Sequence, residues 1–379
     1  MTQVGIIAPE HPGTFIVEEL DARGWAKGDL AYILGMSPEN LSRILNGKVG
    51  ISAEMAVSLG EAFDVPAEFF ANLQKLYDLG HAKKPDPGVK TRAVWSSHFP
   101  VREMISRGWI EDSESSLLHL QMLRFFGKNR VEDIPFIGEG QIDAHAARKS
   151  SGYDSMTEIQ YVWLHRVKKV AEQMDCPSYS KEKLVAALPQ VRAHMLDVDD
   201  LHLIPEILRD CGVRLVFVEA FPGSEIDGVC VWLDDQPVIG MSLRLDKFDN
   251  FCFTLRHECE HVLQEHGKEI GFTPVDEKLG CERDNVDDEE TIADRAAQEF
   301  LVPTDALRSF IARKAPYISE RDVLAFSARM QIHPAVVVGQ IQHALDKWNW
   351  MKKHIKKVRD RLVTWEQTDG WGKSLPTGL

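Results

Sequence analysis

The stretch LRHECEHVL (residues 255–263) contains the pattern H-E-x-x-H, which runs from His257 to His261. On a helix, residues four positions apart share a face, so the two histidines would point at one ion. Glu258 follows the first histidine and would lie where a general base can take a proton from an attacking water. The pattern predicts a metal-dependent hydrolytic site, and the alternative is an amphipathic helix whose histidines are solvated or pair with acids.

A later acidic helix, predicted within EETIADRAAQEFLVP (289–303), offers a third ligand. Catalytic zinc usually has three protein ligands and one open position. Glu290 would complete a His₂Glu set for one Zn²⁺ per chain, and Asp294, one turn later, would accept the outer ring N–H of a ligand histidine. Asp288 and Glu289 are rival third ligands; we favour Glu290 because Glu289 does not share the helix face of Asp294.

Two apolar segments before this motif predict a small sheet. VRLVFVE (213–219) is β-branched and alternating, and GVCVWLDDQPVIGMS (228–242) is two apolar runs around Asp234-Asp235-Gln236-Pro237, which predicts a hairpin. A hairpin that precedes the metal helix is the arrangement in which a peptide substrate can lie as an added strand beside the site.

From the strands near 213 to Pro303, the sequence resembles the ImmA/IrrE family of metallopeptidases. The resemblance continues weakly through 318–343, which is interpreted as one helix. It implies a zincin-like endopeptidase domain in which His257, His261 and Glu290 hold zinc and Glu258 is the base. The family's Ala-Asn pair is Ala293-Asp294 here, an equivalent acceptor.

Five further residues near the motif have simpler interpretations. Cys259 is expected to pack, Glu260 to be solvated or to form a salt bridge, and His266 to lie on the surface. His333 and His343 are candidates for stabilising a transition state, although a core or capping role fits each better.

The N-terminal segment KGDLAYILGMSPENLSRILNG (27–47) fits helix-turn-helix geometry. Ala31 is small where two helices approach, Gly35 falls where the turn requires positive φ, and Ser37 can cap the second helix. A helical hairpin that only packs is the alternative. The residues placed to contact DNA are Ser37, Glu39, Asn40, Arg43, Asn46 and Lys48. Asn and Arg can read base edges, and Ser37 or Lys48 can hold phosphate.

Most of residues 11–79 resembles the XRE-type helix-turn-helix of HigA-like antitoxins. This resemblance implies a five-helix domain that binds a double-stranded DNA operator, usually as a homodimer. The net charge of −14 excludes broad nucleic-acid binding by the whole molecule. Any DNA contact must therefore come from a small local patch.

The predicted fold class is α+β and mainly helical. We expect the helix-turn-helix domain at 1–80, a linker and helical connecting region at 81–200, the zincin-like domain with its small sheet and H-E-x-x-H helix at 201–345, and a basic helical tail at 346–379. The acidic run at 276–290 is interpreted as a solvated loop, and the alternative is a gate over the site.

Composition predicts a cytoplasmic protein. Hydrophobic residues make up 44% of the chain and charged residues 27%, as in globular proteins. The N-terminus lacks a signal-peptide pattern, no apolar run suits a membrane, and the six cysteines form no C-x-x-C pair, which favours reduced thiols.

These patterns favour a transcriptional regulator whose zinc endopeptidase domain cleaves a specific partner, such as a repressor, in a stress, prophage or toxin-antitoxin setting. One alternative is an antitoxin-like repressor whose peptidase fold serves as a sensor or partner-binding module. A second is the toxic peptidase component of a toxin-antitoxin pair.

Overall fold

A computed structural model of the protein describes residues 9–137, 157–268 and 288–376. The chain divides into two compact units, residues 1–86 and 87–379. Within the described residues, both units are mainly helical, and the second also contains a small mixed sheet.

The first unit contains five helices in its described part, as the sequence predicts. They are α1 (Pro12–Arg23), α2 (Lys27–Ile33), α3 (Pro38–Leu45), α4 (Ala53–Phe63) and α5 (Ala67–His81). Buried apolar side chains from all five form its core; these include Ile16, Leu30, Leu41, Leu59 and Phe70.

The second unit contains most of the helices. Those before its sheet are α6 (Gly88–His98), α7 (Val101–Ser106), α8 (Ser115–Phe126), α9 (Glu158–Glu172), α10 (Lys181–His194) and α11 (Ile204–Asp210). Those that follow β3 are α12 (Phe248–Leu263), α13 (Asp288–Leu301), α14 (Thr304–Lys314), α15 (Glu320–Met330), α16 (Pro334–Leu345) and α17 (Arg359–Leu362).

The sheet has four strands in the order β2-β3-β1-β4. They are β1 (Arg214–Val218), β2 (Gly228–Leu233), β3 (Gln236–Met241) and β4 (Thr368–Asp369). The β2–β3 pair is the predicted antiparallel hairpin, while β1 pairs in parallel with both β3 and β4. The β4 strand comes from the C-terminal segment and was not predicted.

Both faces of the sheet are covered by helices. Along β1, Leu215 and Phe217 pack into one apolar cluster, whereas Val216 and Val218 pack into another. Neighbouring residues of a strand point to opposite faces, so this division places a helical layer on each side. The first cluster includes the apolar side of α12, and the second includes α9 through Trp163.

The sequence predicts a linker and connecting helices at 81–200, whereas in the structure helices of this region form part of the second unit. Its helices α6, α8 and α9 supply Trp95, Phe125 and Trp163 to the core on the far face of the sheet. The boundary between compact units falls at Asp86, so these helices belong to the second unit. Their packing partners are far away in sequence, which local periodicity does not reveal.

The prediction of a basic helical tail at 346–379 is wrong. In the described part of this segment, residues 346–376, helix is confined to one 3₁₀ turn (Lys352–His354) and the four-residue α17. Val358 is buried, and the Asp246 carboxylate accepts its backbone N–H at 3.0 Å. These tertiary contacts hold the segment before β4 in an irregular conformation.

The segment 318–343 is two helices rather than one. α15 ends where Gln331 takes a left-handed conformation with φ of 52°. His333 then caps α16, its Nδ1 accepting the backbone N–H of Ala335 at 3.1 Å. Among the residues that the structure describes, no helix is both long and apolar enough to span a bilayer.

Candidate metal centre and nucleic-acid interface

The H-E-x-x-H residues lie on helix α12 and are buried. Its apolar residues, among them Phe251, Leu255 and Cys259, recur at helical spacing and pack into the core under the sheet. Helix α13 packs along α12, and His257 and His261 are each almost fully buried. The helix is therefore held on one side by the core, and its histidines are aimed at α13.

Three predicted ligand atoms converge beside α12. The Nε2 atoms of His257 and His261 are 2.9 Å apart. Glu290 Oε2 is 3.2 Å from the first, and Glu290 Oε1 is 3.5 Å from the second. A tetrahedral zinc ion with ligand bonds of about 2.0–2.1 Å places neighbouring ligand atoms about 3.3 Å apart. The donor types and their spacing fit a zinc ion.

Of the two rival third ligands, Glu289 is described by the structure and has a different neighbour. Glu289 is half exposed, and its Oε2 is 3.9 Å from His266 Nδ1 rather than near the two Nε2 atoms. The side chain of Asp288 lies outside the described residues, as does the acidic run from 276 to 287.

Both candidate ligand histidines have a partner on their outer nitrogen. His257 Nδ1 is 3.0 Å from Asp294 Oδ1, the arrangement predicted from the sequence. His261 Nδ1 is 2.8 Å from His266 Nδ1. The expectation that His266 lies on the surface is therefore wrong: the turn after α12 brings it back onto the site.

The electrostatic environment favours a neutral His261 imidazole and a neutral Cys259 thiol. Burial, together with the neighbouring His257, lowers the pKa of His261 to about 4, so its lone pair is available for a metal at neutral pH. Burial raises the pKa of the Cys259 thiol to about 12. Cys259 therefore stays protonated and packs in the core, as expected.

Glu258 lies against the first residue of β2. A Cβ added to Gly228 would be 2.6 Å from Glu258 Oε1 and 2.6 Å from the Thr254 Cγ2 methyl. Only glycine leaves room for this carboxylate, which is buried beside the edge strand. No pattern in the sequence indicates this role for Gly228.

Three further candidates from the sequence, Glu260, His333 and His343, have structural roles or exposed positions. Glu260 forms the expected salt bridge, with its Oε2 at 2.7 Å from Arg256 Nη2. His333 caps α16 through its Nδ1, which is the capping role that fits it better than transition-state stabilisation. His343 is exposed and lines a cavity of about 190 Å³ that Asp294 also borders.

The first unit has the predicted helix-turn-helix geometry. Ala31 is buried between the helices, and Gly35 has φ of 64° at the turn. Ser37 Oγ accepts the backbone N–H of Asn40 at 3.3 Å and caps α3. The apolar residues Leu30 and Leu41 are buried where α2 and α3 meet.

The predicted DNA-contact residues line the exposed side of α3 and the turn after it. Glu39, Asn40, Arg43 and Lys48 are all exposed, as is Ser37. Asn46 is exposed too, but its amide donates to Ser42 O at 2.8 Å and Ser42 Oγ at 3.1 Å. Asn46 would have to break these bonds before it could read a base.

This helix pair, with its glycine turn and polar exposed face, defines a DNA-binding protein of the helix-turn-helix class, a regulator or an antitoxin. The chain belongs to the helix-turn-helix family HTH_3, whose sequence profile matches residues 16–70.

Similar proteins share this N-terminal region. The virulence-associated protein A' of Dichelobacter nodosus is 40% identical over 88 residues, 23% of this chain and 76% of that protein. An uncharacterised HTH-type transcriptional regulator of Haemophilus influenzae is 39% identical over 80 residues, 20% of this chain and 75% of that protein. The structure of a HigA-family addiction module antidote protein from Coxiella burnetii is 30% identical and covers 24% of this chain and 95% of that one, with a TM-score of 0.20.

Proposed function

We propose that this protein is a DNA-binding transcriptional regulator whose second unit is a zinc-dependent endopeptidase that cleaves a specific partner protein. The observation that carries the peptidase part is the convergence of the His257, His261 and Glu290 donor atoms, which all lie within 4.8 Å of one another. The outer partners Asp294 and His266 further support a metal centre, because ligand histidines generally have such partners.

The proposed reaction is hydrolysis of a peptide bond. Zinc, when bound, supplies a Lewis acid that polarises the scissile carbonyl and acidifies water. His257, His261 and Glu290 hold the ion, and Asp294 orients His257. Glu258 takes the proton of the attacking water and transfers it to the leaving amine nitrogen.

The position of the sheet supports a peptide substrate. In the described residues β2 lies at the edge of the sheet, and its first residue, Gly228, contacts Glu258. An extended peptide can add to such an edge through its backbone, which aligns its carbonyls along the strand. The scissile bond would then lie beside the general base.

The proposed role of the first unit is to bind a double-stranded operator with the exposed face of α3. The exposed Arg43 and Lys48 support this role, and the similar Haemophilus influenzae protein is itself named as a transcriptional regulator. A single helix-turn-helix contacts only one half-site in the major groove. We therefore propose that the protein binds its operator as a homodimer, which contacts two half-sites.

An antitoxin-type repressor is the second candidate. In that case the second unit recognises a partner, such as a cognate toxin, without cleaving it. The observation that favours it is that the relatives described above match only the helix-turn-helix region, about a fifth of the chain. A third candidate function is that of a toxin-antitoxin component in which the peptidase is the toxic part. The same experiment distinguishes them.

The test uses the wild type and Glu258→Gln, a change that keeps the shape of the side chain but removes its basicity. Both proteins are assayed for bound zinc and then incubated with the product of the adjacent gene. We expect about one zinc per chain in both proteins, and cleavage by the wild type only.

Two results would contradict the peptidase proposal: absence of zinc from the wild type, or equal cleavage by the two proteins. Zinc binding with a stable complex but no cleavage would instead support the antitoxin-type repressor. Lower growth on expression of the wild type, relieved by Glu258→Gln, would support a toxic peptidase.

A further inference from the structure

The contact between His261 and His266 pairs a candidate zinc ligand with another histidine. Their Nδ1 atoms are 2.8 Å apart, and their rings meet edge to face with centroids 5.0 Å apart. The His266 side chain is only 11% exposed, so water does not replace it easily. The outer partner of His257, by contrast, is the carboxylate of Asp294.

The backbone of His266 is anchored from two sides. Its N–H donates to His261 O at 3.0 Å, which closes the turn at the end of α12. Its carbonyl accepts the indole N–H of Trp232, on β2, at 2.9 Å. Glu265 takes a left-handed conformation with φ of 56° in this turn, which returns the chain toward the helix. The backbone of His266 is thus held by the helix and the sheet together.

The geometry determines which tautomers can serve a metal. His261 can bind zinc through Nε2 only if that atom is unprotonated, so a neutral His261 carries its proton on Nδ1. His261 Nδ1–H then donates to His266 Nδ1, which must be the unprotonated nitrogen of that ring. We propose that His266 is a positioning residue that fixes the tautomer and ring orientation of His261 for zinc.

This role is different from a merely structural one. A structural His266 would stabilise the turn through its backbone bonds, which any side chain retains. A positioning His266 acts through an acceptor atom at the place of Nδ1. Asparagine places its amide oxygen near the same position, so it should substitute for histidine, whereas alanine should not.

The inference rests on the zinc site of the proposed function, and its test does not depend on peptidase activity. The full-length wild type, His266→Ala and His266→Asn are compared with His202→Ala, which removes an exposed histidine elsewhere in the second unit. Zinc affinity is measured by competition with a chelator. The visible absorption spectrum of the cobalt-substituted proteins reports ligand geometry, and thermal melting of the metal-free proteins reports stability.

We expect His266→Ala to weaken zinc binding about 10- to 100-fold, the range found for loss of such outer partners. Its cobalt spectrum should change, while His266→Asn recovers affinity to within a few-fold and His202→Ala matches the wild type. Unchanged zinc affinity and spectrum in His266→Ala would overturn the inference, and so would equal losses in the Ala and Asn variants. A wild type that binds no zinc would defeat the proposed function itself, and this inference with it.

Discussion

Gly228 illustrates how the absence of a side chain shapes the candidate site. We predict that Gly228→Ala lowers partner cleavage about 100-fold, because the new Cβ would lie 2.6 Å from Glu258 Oε1 and displace this base. Zinc content should be unchanged, since the three atoms nearest to the added Cβ belong to Glu258 and Thr254 and not to the candidate ligands. Cleavage rate and bound zinc are measured on the same preparation.

A matched control is Gly28→Ala in the first unit, where an added Cβ has no other atom within 4 Å. The control should cleave like the wild type. Full cleavage by Gly228→Ala would show that the Glu258 carboxylate does not need its observed position.

A second residue, His165 on α9, should make the fold sensitive to acid. Burial is the main cause that lowers its pKa to about 3, against 6.5 for an ordinary histidine. In the unfolded chain His165 therefore takes up a proton near pH 6.5, whereas in the folded chain His165 does so only near pH 3. Stability linked to His165 is fully present above pH 6.5 and is lost as the pH falls through this window.

We expect His165→Gln to remove part of this acid sensitivity. Each linked proton changes the free energy of unfolding by about 1.4 kcal/mol per pH unit. The wild type should accordingly lose roughly 2 kcal/mol more than the variant between pH 6.5 and 5, measured by urea unfolding. His202→Gln, at an exposed site, should keep the wild-type slope; parallel slopes for all three proteins would refute the prediction.

At the residue scale, spacing on a helix was enough to predict several positions. His257, His261, Glu290 and Asp294 were predicted because residues four apart on one helix share a face, and the structure brings all four together. His266 was not predicted. It lies beyond the end of α12, and its position depends on the turn and on the bond from Trp232, which a helical period does not describe.

Among the elements, α3 has the most direct proposed link to DNA. We predict that Arg43→Ala weakens operator binding by about 1–3 kcal/mol if Arg43 reads a base edge. Lys48→Ala should instead weaken binding of all sequences alike and reduce the salt dependence, because a lysine contacts phosphate. The measurement is a titration of genomic DNA fragments selected by the wild type, repeated at several salt concentrations.

The control is Lys75→Ala, which removes an exposed basic side chain from α5 and should bind DNA like the wild type. If Lys75→Ala weakens binding as much as Arg43→Ala does, the effect is one of general charge. The exposed face of α3 would then not be the recognition surface.

Helices, turns and strands are predicted correctly where neighbouring residues in the sequence determine the local structure. The capped α3, the glycine turn before it and the β2–β3 hairpin each follow from residues close in sequence. Prediction failed for the tail, where basic and aromatic residues suggested one helix. There, the buried Val358 and the Asp246 carboxylate, more than a hundred residues apart in sequence, determine the path instead.

For the second unit as a whole, a buried carboxylate is one of the groups that attach the C-terminal segment. Asp369, on β4, accepts from Arg166 Nε at 3.0 Å and from the Trp109 indole N–H at 2.8 Å. Arg166 and Asp369 are both fully buried. Arg166 also donates to Leu375 O at 2.7 Å. The ion pair therefore joins α9 to the last described strand of the chain.

We predict that Asp369→Asn destabilises the second unit by about 3–5 kcal/mol, because it leaves the Arg166 guanidinium buried without its counter-charge. The free energy of unfolding is measured by urea titration. Asp360→Asn, at an exposed carboxylate on α17, should change it by less than about 0.5 kcal/mol. A small effect of Asp369→Asn would mean that the segment is held mainly by strand pairing.

The sequence by itself determined the helix-turn-helix unit, the mainly helical class, the hairpin and the four candidate metal-site residues on α12 and α13. Each depends on the period of a helix or strand, on a cap or on a turn residue, which are local properties of the chain. Only the tertiary structure decided that helices from 88 to 172 cover the second face of the sheet, that His266 contacts His261, that Gly228 makes room for Glu258 and that the C-terminus supplies β4. These contacts join residues that are far apart in sequence or separated by a turn, and burial and shape complementarity select them only when the whole chain has folded.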